Sequence, residues 1–257
     1  MQDPVYELRV HPRLLRSVTS AAKAWSWLAI AAVFLATLAG CGGRSPAPTS
    51  TPAAPSITAQ EVVLRSAESM KGVRAFRFRL SHSAGSTVLS SGISLDSAEG
   101  AAAAPDRLQV TADASFGRSF VKLSAIVIGD EAWVTNPLTG GWLKAPPGGS
   151  PFSTFDPGQL VAGILAGVTE VRFTQDRAPA GGRYRVSGKA GATILEPLVG
   201  EVDSARTVEF DLQIDASTFR LARAEIRGAV SEAEDPTTAR VVDLFDFDAG
   251  IEIKPPI

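Results

Sequence analysis

Residues 208–228 read VEFDLQIDASTFRLARAEIRG, and their alternation decides the fold. Val208, Phe210, Leu212 and Ile214 are interleaved with Glu209, Asp211 and Gln213. Successive side chains on a strand point to opposite faces, so this is a ribbon with one greasy and one charged side. The same period of two governs 74–82, where Phe76, Phe78 and Leu80 alternate with Arg77, Arg79 and Ser81. Further strands are expected near 87–95, 106–115, 118–128, 131–135, 170–175, 183–189, 206–215, 219–230 and 239–248. Long strands with short connections predict an antiparallel meander.

The segment 118–128 breaks the one-sided rule. Phe120, Ile126 and Ile128 oppose Val121, Leu123, Ala125 and Val127, so both faces carry apolar groups. A strongly curved antiparallel sheet, a half-barrel with a few helices on its concave face, accommodates both patterns in an α+β fold. Three helical segments are available. Thr58-Ala59-Gln60-Glu61 is a capping box with Ile57 and Val62 as its staple, and Val62, Val63, Ala67, Met70 and Val73 follow at helical spacing up to Gly72. Asp156-Pro157 supplies a cap and a first-turn proline ahead of the stripe Leu160, Val161, Ile164, Leu165. Ala192–Val202, with Ile194, Leu195, Leu198 and Val199, is limited by Pro197. The Pro- and Gly-rich run from Trp142 to Phe155 predicts irregular structure. So little helix leaves the concavity short of side chains, and a ligand is the expected filling.

Ahead of this body lies a leader. Ala24–Gly40 (AWSWLAIAAVFLATLAG) runs 17 residues without a charge behind a basic segment. A helix of that length spans roughly 25 Å, slightly under a ~30 Å hydrocarbon core, so length alone leaves a cleaved signal and an uncleaved anchor both open. The ending Leu38-Ala39-Gly40-Cys41-Gly42 decides for a lipobox: a large apolar residue, two small ones, and the chain's one cysteine as the lipidated residue. Residues 1–40 are therefore read as a lipoprotein signal peptide and 57–257 as a single lipid-binding half-barrel domain. Between them, the Pro/Ser/Thr-rich residues 41–56 form a tether of about 15 residues reaching roughly 45 Å. Cys41 would carry the acyl chains, palmitate among them, that anchor the chain on the extracytoplasmic face of the cell membrane.

Composition removes several function classes. Four of the 25 basic and two of the 27 acidic residues precede Cys41, so the remainder carries 21 against 25 and has no drive toward nucleic acid. One cysteine excludes an internal disulfide, and with His11 in the leader only His82 remains in the body, which argues against metal chemistry and a Ser/His/Asp triad. Ser81 and Ser83 flank His82 but point to the opposite face of their strand. No catalytic residue, metal or cofactor is expected. Asp243, Asp246 and Asp248 lack a calcium loop and read as the solvated face of the last strand. Trp133 and Trp142 flank the loop NPLTGG, where packing at a hairpin end competes with a membrane-facing rim.

Five stretches in order resemble the LppX/LprAFG family of bacterial lipoproteins: IVIGDEAWVTNPLTGGWLKAP (126–146), FDPGQLVAGIL (155–165), YRVSGKAGATILEPLV (184–199), VEFDLQIDASTFRLARAEIRG (208–228) and LFDFDAGIEIKPP (244–256). The resemblance implies a half-barrel similar to the LolA and LolB carriers, and a lipoprotein that binds acylated lipids or glycolipids and moves them within the envelope. It transfers one matched functional position, Cys41, and it leaves 84–105, including Ala101–Ala104, unmatched. Candidate cavity residues are Phe152, Phe155, Leu160, Ile164 and Leu165 around the second helix, Leu195, Leu198 and Val199 in the third, and Phe78, Leu123 and Val127 on strands. Each of these could instead be plain core. The expected partners are an acylated lipid, the membrane through Cys41 and an envelope transporter, with the body a monomer. The rival reading is a surface scaffold or sensor domain that docks a protein and holds no lipid.

Overall fold

A computed structural model describes residues 57–89, 92–146, 156–175, 179 and 181–256. Helix α1 (Ala59–Lys71) starts where Thr58 Oγ1 accepts the Glu61 amide at 3.1 Å, and it buries Val62, Val63, Ala67 and Met70. Helix α2 (Pro157–Ala166) starts at Asp156, whose carboxylate accepts the Gln159 amide at 2.9 Å. A 3-10 turn over Ala192–Leu195 leads into the single turn α3 (Glu196–Val199), which Gly200 ends with a φ of 85°.

Twelve strands complete the body: β1 (Ala75–Ala84), β2 (Thr87–Val88), β3 (Ser94–Ala103), β4 (Arg107–Phe116), β5 (Ser119–Ile128), β6 (Glu131–Thr135), β7 (Trp142–Lys144), β8 (Thr169–Phe173), β9 (Arg183–Gly191), β10 (Thr207–Asp215), β11 (Leu221–Arg227) and β12 (Ala239–Phe245). All pairings are antiparallel, in the order β7-β6-β5-β4-β3-β1-β12-β11-β10-β9-β8 with β2 beside β3. The first and last long strands meet in the middle, and the edges β7 and β8 do not close the sheet.

Register makes one face apolar across its width. Leu123, Ala112, Ala98, Leu80, Val242, Ala224, Leu212 and Val186 form a single row of cross-strand partners through eight strands. The neighbouring row on the other face is charged, with Glu99, Arg79, Asp243 and Arg223 in succession and the Arg223–Asp243 pair at 3.0 Å. The middle six members of the apolar row line one hollow. Laid flat, six strands at about 4.8 Å would spread them over ~24 Å, so their convergence records the bend of the half-barrel.

Two expectations need correction. The strand expected at 87–95 is two: β2 ends at Val88, and β3 continues through the unmatched alanines to Ala103. Alanine has little intrinsic strand preference, so Ala101–Ala103 gave no signal, yet small groups are needed here. A Cβ on Gly100 would sit 2.1 Å from the Gln109 carbonyl oxygen and 2.9 Å from the Phe78 ring. The run from Trp142 is not irregular at its start, since Trp142–Lys144 pairs with Trp133–Thr135.

The two apolar faces of β5 also find their reason. On the convex side Ile126 joins Ala75, Ala101, Ala103, Trp133 and Ile253 in a second, smaller core, with Ile128, Trp142 and Ile251 against it. The C-terminal segment thus covers the outside of the sheet, held by the Arg107 guanidinium donating to the Ile253 carbonyl at 2.8 Å. Trp133 is buried there, so both tryptophans serve packing.

Candidate functional site

The concave hollow has a volume of about 360 Å³. Its floor comes from alternate residues of the strands: Phe76, Phe78 and Leu80 on β1, Leu108 and Val110 on β4, and Phe210 and Leu212 on β10. Its roof is α2 and α3. The stripe on α2 delivers Leu160, Val161, Ile164 and Leu165, and the segment 192–199 delivers Leu195, Leu198 and Val199. Gly158 lets α2 sit this close to α1, because a Cβ there would lie 2.6 Å from the carbonyl oxygens of Met70 and Val73.

Of the residues singled out from the sequence, Phe78, Leu160, Ile164, Leu165, Leu195, Leu198 and Val199 stand around this hollow. Leu123 and Val127 do not. They face the same concave side, paired with the lining residues Ala112 and Leu108, but one strand further out, and Val127 is packed into the main core. Cys41, Phe152 and Phe155 lie outside the described residues, as do the leader and the tether.

Thr87 and Arg240 are the polar residues among the lining. Arg240 is 3% exposed, and its partner Glu234 is 5% exposed. The guanidinium donates from Nε to Thr87 Oγ1 at 2.8 Å, from one terminal nitrogen to the Gly228 carbonyl at 2.9 Å, and from the other to Glu234. Glu234 also accepts the amides of Val230 at 2.8 Å and Val88 at 3.1 Å. A buried ion pair tolerates its desolvation only when its remaining donors and acceptors are satisfied in this way. The network ties β2 and the 228–238 loop to β12 at the end of the hollow. Position 240 shares a face with Val242 and Leu244, so strand parity alone marked it as an inward charge.

His82 completes that end, with Nδ1 2.8 Å from the Asp96 carbonyl and Nε2 2.9 Å from Thr87 Oγ1. The carbonyl can only accept, which fixes the Nδ1–H tautomer, and Thr87 then donates to Nε2 while accepting from Arg240. Both ring nitrogens are committed to structure. The three aspartates near the C-terminus are likewise engaged: Asp243 with Arg223, Asp246 with Arg77 at 3.5 Å, and Asp248 with Arg220 and the Arg74 amide. The Arg74 amide and the Arg220 charge hold the Asp248 carboxyl below its ordinary pKa. Among the described residues no cluster of His, Cys, Asp or Glu is placed to hold a metal, and no helix is long and apolar enough to cross a membrane.

An open half-barrel whose concave side is a greasy hollow roofed by short helices defines a class of envelope lipoprotein folds. This chain belongs to the LppX_LprAFG lipoprotein family, whose pattern matches residues 58–252. Membership associates it with the cell envelope. Its fold is similar to that of LprF from Mycobacterium bovis, with 16% identity and a TM-score of 0.55 over 77% of this chain and 96% of that one. It is also similar to lipoprotein LppX from Mycobacterium tuberculosis, with 15% identity and a TM-score of 0.53 over 76% of this chain and 97% of that one. A comparison with curated proteins finds no match.

Proposed function

We propose that this chain is a membrane-anchored, non-catalytic lipoprotein that takes acylated lipids or glycolipids into the concave hollow and carries them within the cell envelope. One observation carries the reading: a cavity of about 360 Å³ in which Thr87 and Arg240 are the polar lining residues, both already satisfied by the protein itself. Among the described residues such a site offers no free polar group to orient a hydrophilic ligand, and its size is that of a ligand pocket. The driving force is desolvation, with about 0.8 kcal/mol for each methylene moved from water into the hollow. Anchoring through acyl chains on Cys41, on the extracytoplasmic face, places the body within a tether's length of the bilayer. A monomer that exchanges its guest with an envelope transporter fits this role. A docking module without a guest calls for a filled concavity, and the hollow gives that reading no support.

Native mass spectrometry of the full chain, purified in mild detergent from the cells that produce it, tests the proposal. Adducts with the mass of acylated lipids are expected. A protein that stays empty, and that takes up no lipid from phospholipid vesicles, overturns it. Cys41→Ser, followed by labelled palmitate, separately tests the anchor: incorporation is expected to vanish.

A further inference from the structure

The hairpin of β4 and β5 extends the apolar floor beyond the hollow. On β4, Leu108, Val110 and Ala112 line the cavity, and the alternation continues through Ala114 to Phe116 at the tip. The opposite face carries Arg107, Gln109, Thr111, Asp113 and Ser115. Val121, Leu123 and Ala125 run alongside on β5, paired with Ala114, Ala112 and Val110. At about 3.4 Å per residue, Phe116 lies ~14 Å beyond Ala112. A lane without a charged side chain, whose one polar member is Ser119 beside Phe116, therefore joins the hollow to the end of the hairpin.

That end is unlike an ordinary turn. Gly117, with a φ of 60°, makes the tight reversal, and the rings on either side are left in solvent, Phe116 at 62% and Phe120 at 87% exposure. They splay to opposite faces, since Phe116 faces the concavity and Phe120 pairs with Ser115 on the convex side. The one charge between Ala114 and Val121 is the exposed Arg118, and just outside this stretch Lys122 is paired with Asp113 at 2.9 Å. Strand direction puts the β6–β7 turn at the same end of the sheet, where Leu138 is 92% exposed within the uncharged segment 136–141. Glu201, Glu232 and Asp235 also lie at this end, on the loops before β10 and between β11 and β12, where Glu201 and Glu232 share a pocket with Val88, Leu89 and Gly92.

We propose that the β4–β5 tip is a lip that dips into the surface of an anionic phospholipid bilayer, with Phe116 and Phe120 entering the headgroup boundary and Arg118 meeting lipid phosphates. Two aromatic rings around the cation Arg118, with the hairpin's own carboxylate Asp113 neutralised by Lys122, match such a surface. Contact confined to the hairpin brings the apolar lane against the bilayer, so an acyl chain can pass from membrane to hollow without crossing water. The purpose of the lip rests on the carrier reading, but its insertion does not.

The test uses the full lipidated chain reconstituted into vesicles containing anionic phospholipid. With Phe116→Trp or Phe120→Trp, lipids brominated near the top of their acyl chains are expected to quench the new indole. Each ring that enters is worth at least about tenfold in partition, so Phe116→Ser with Phe120→Ser lowers vesicle-to-vesicle transfer of a fluorescent acyl lipid at least tenfold while native mass spectrometry shows the guest still bound. Arg118→Glu lowers transfer by about fivefold in anionic vesicles and leaves it unchanged in neutral ones. Unquenched indoles at both positions overturn the proposal. So does quenching replaced by crosslinks between copies through the tip, which makes it a self-association face. An empty protein with quenched indoles sinks the carrier reading and leaves the lip standing.

Discussion

Replacing Ala224 with phenylalanine separates a true hollow from a packed core. Ala224 sits mid-row on the concave face, between Leu212 and Val242, and is 6% exposed. The substitution adds about six carbons where the cavity lies. If the space is empty or wet, burying the ring stabilises the delipidated protein by about 1–2 kcal/mol. For a body of this size that raises Tm by about 2–8 °C. The same ring displaces about six methylenes of a guest, at ~0.8 kcal/mol each. With roughly half recovered as the guest shifts, about 2 kcal/mol is lost, a thirtyfold weaker affinity. Thermal unfolding of delipidated protein and competition with a fluorescent fatty acid read the two effects. Their signs must oppose: a lower Tm together with unchanged lipid affinity means that the ring was forced into a filled core, where overpacking costs about 1–3 kcal/mol, and the reasoning fails.

Arg240→Met leaves Glu234 buried without its partner and is expected to cost about 3–5 kcal/mol in urea unfolding, with the double change Arg240→Met, Glu234→Gln recovering a large part. Gly158→Ala drives a methyl group to 2.6 Å from two backbone oxygens of the α1 end; the loss of about 1–3 kcal/mol is read by Tm, and lipid uptake falls as α2 is displaced. Asp215 accepts from the Ser217 hydroxyl, the Thr218 amide, the Thr218 hydroxyl and the Ser217 amide in the β10–β11 turn, which lowers its pKa from 3.8 to about 2. A depressed carboxylate stabilises the fold above its unfolded pKa and stops doing so as pH falls through the folded value. The stability gap between the natural chain and Asp215→Asn, about 1 kcal/mol at neutral pH after solvent screening, is therefore expected to close between about pH 4 and pH 2.

Much of this architecture was legible because strand alternation is a local signal. The inner faces of β1 and β10, the caps at Thr58 and Asp156, and the apolar stripe of α2 follow from spacing alone. What escaped has a physical reason in each case. The alanines of β3 carry no hydrophobic contrast; Ala98 and Ala102 leave room for the hollow, while Ala101 and Ala103 pack in the second core. Leu123 and Val127 share the correct face, but a one-dimensional pattern cannot say where the hollow ends along the strand order. The second core depends on Ile251 and Ile253 folding back over β5 from more than 100 residues away in the sequence, contacts that no window of residues contains. Arg240 went unread, although its parity with Val242 and Leu244 was the signal that could have placed it inward; the partner that makes it tolerable, Glu234, sits in a loop.

The hollow has two causes, and both lie in the sequence. Helix α1 packs over β8, β9 and β10, and α2 rests on α1 and on the 192–195 turn, so the helix layer ends before the sheet does. Over the part left bare, β3 presents Ala98 and Ala102 where larger residues would have filled the gap. An apolar void costs about 24 cal/mol per Å³, which for 360 Å³ is at most about 9 kcal/mol. That is as large as the whole net stability of many domains, 5–15 kcal/mol. A chain that omits both helix and side chains from one place thus folds at a deficit that, on the proposed carrier reading, an acyl guest would remove. The proposed binding and delivery would then draw on a single feature: greasy strand surface that the protein does not cover for itself.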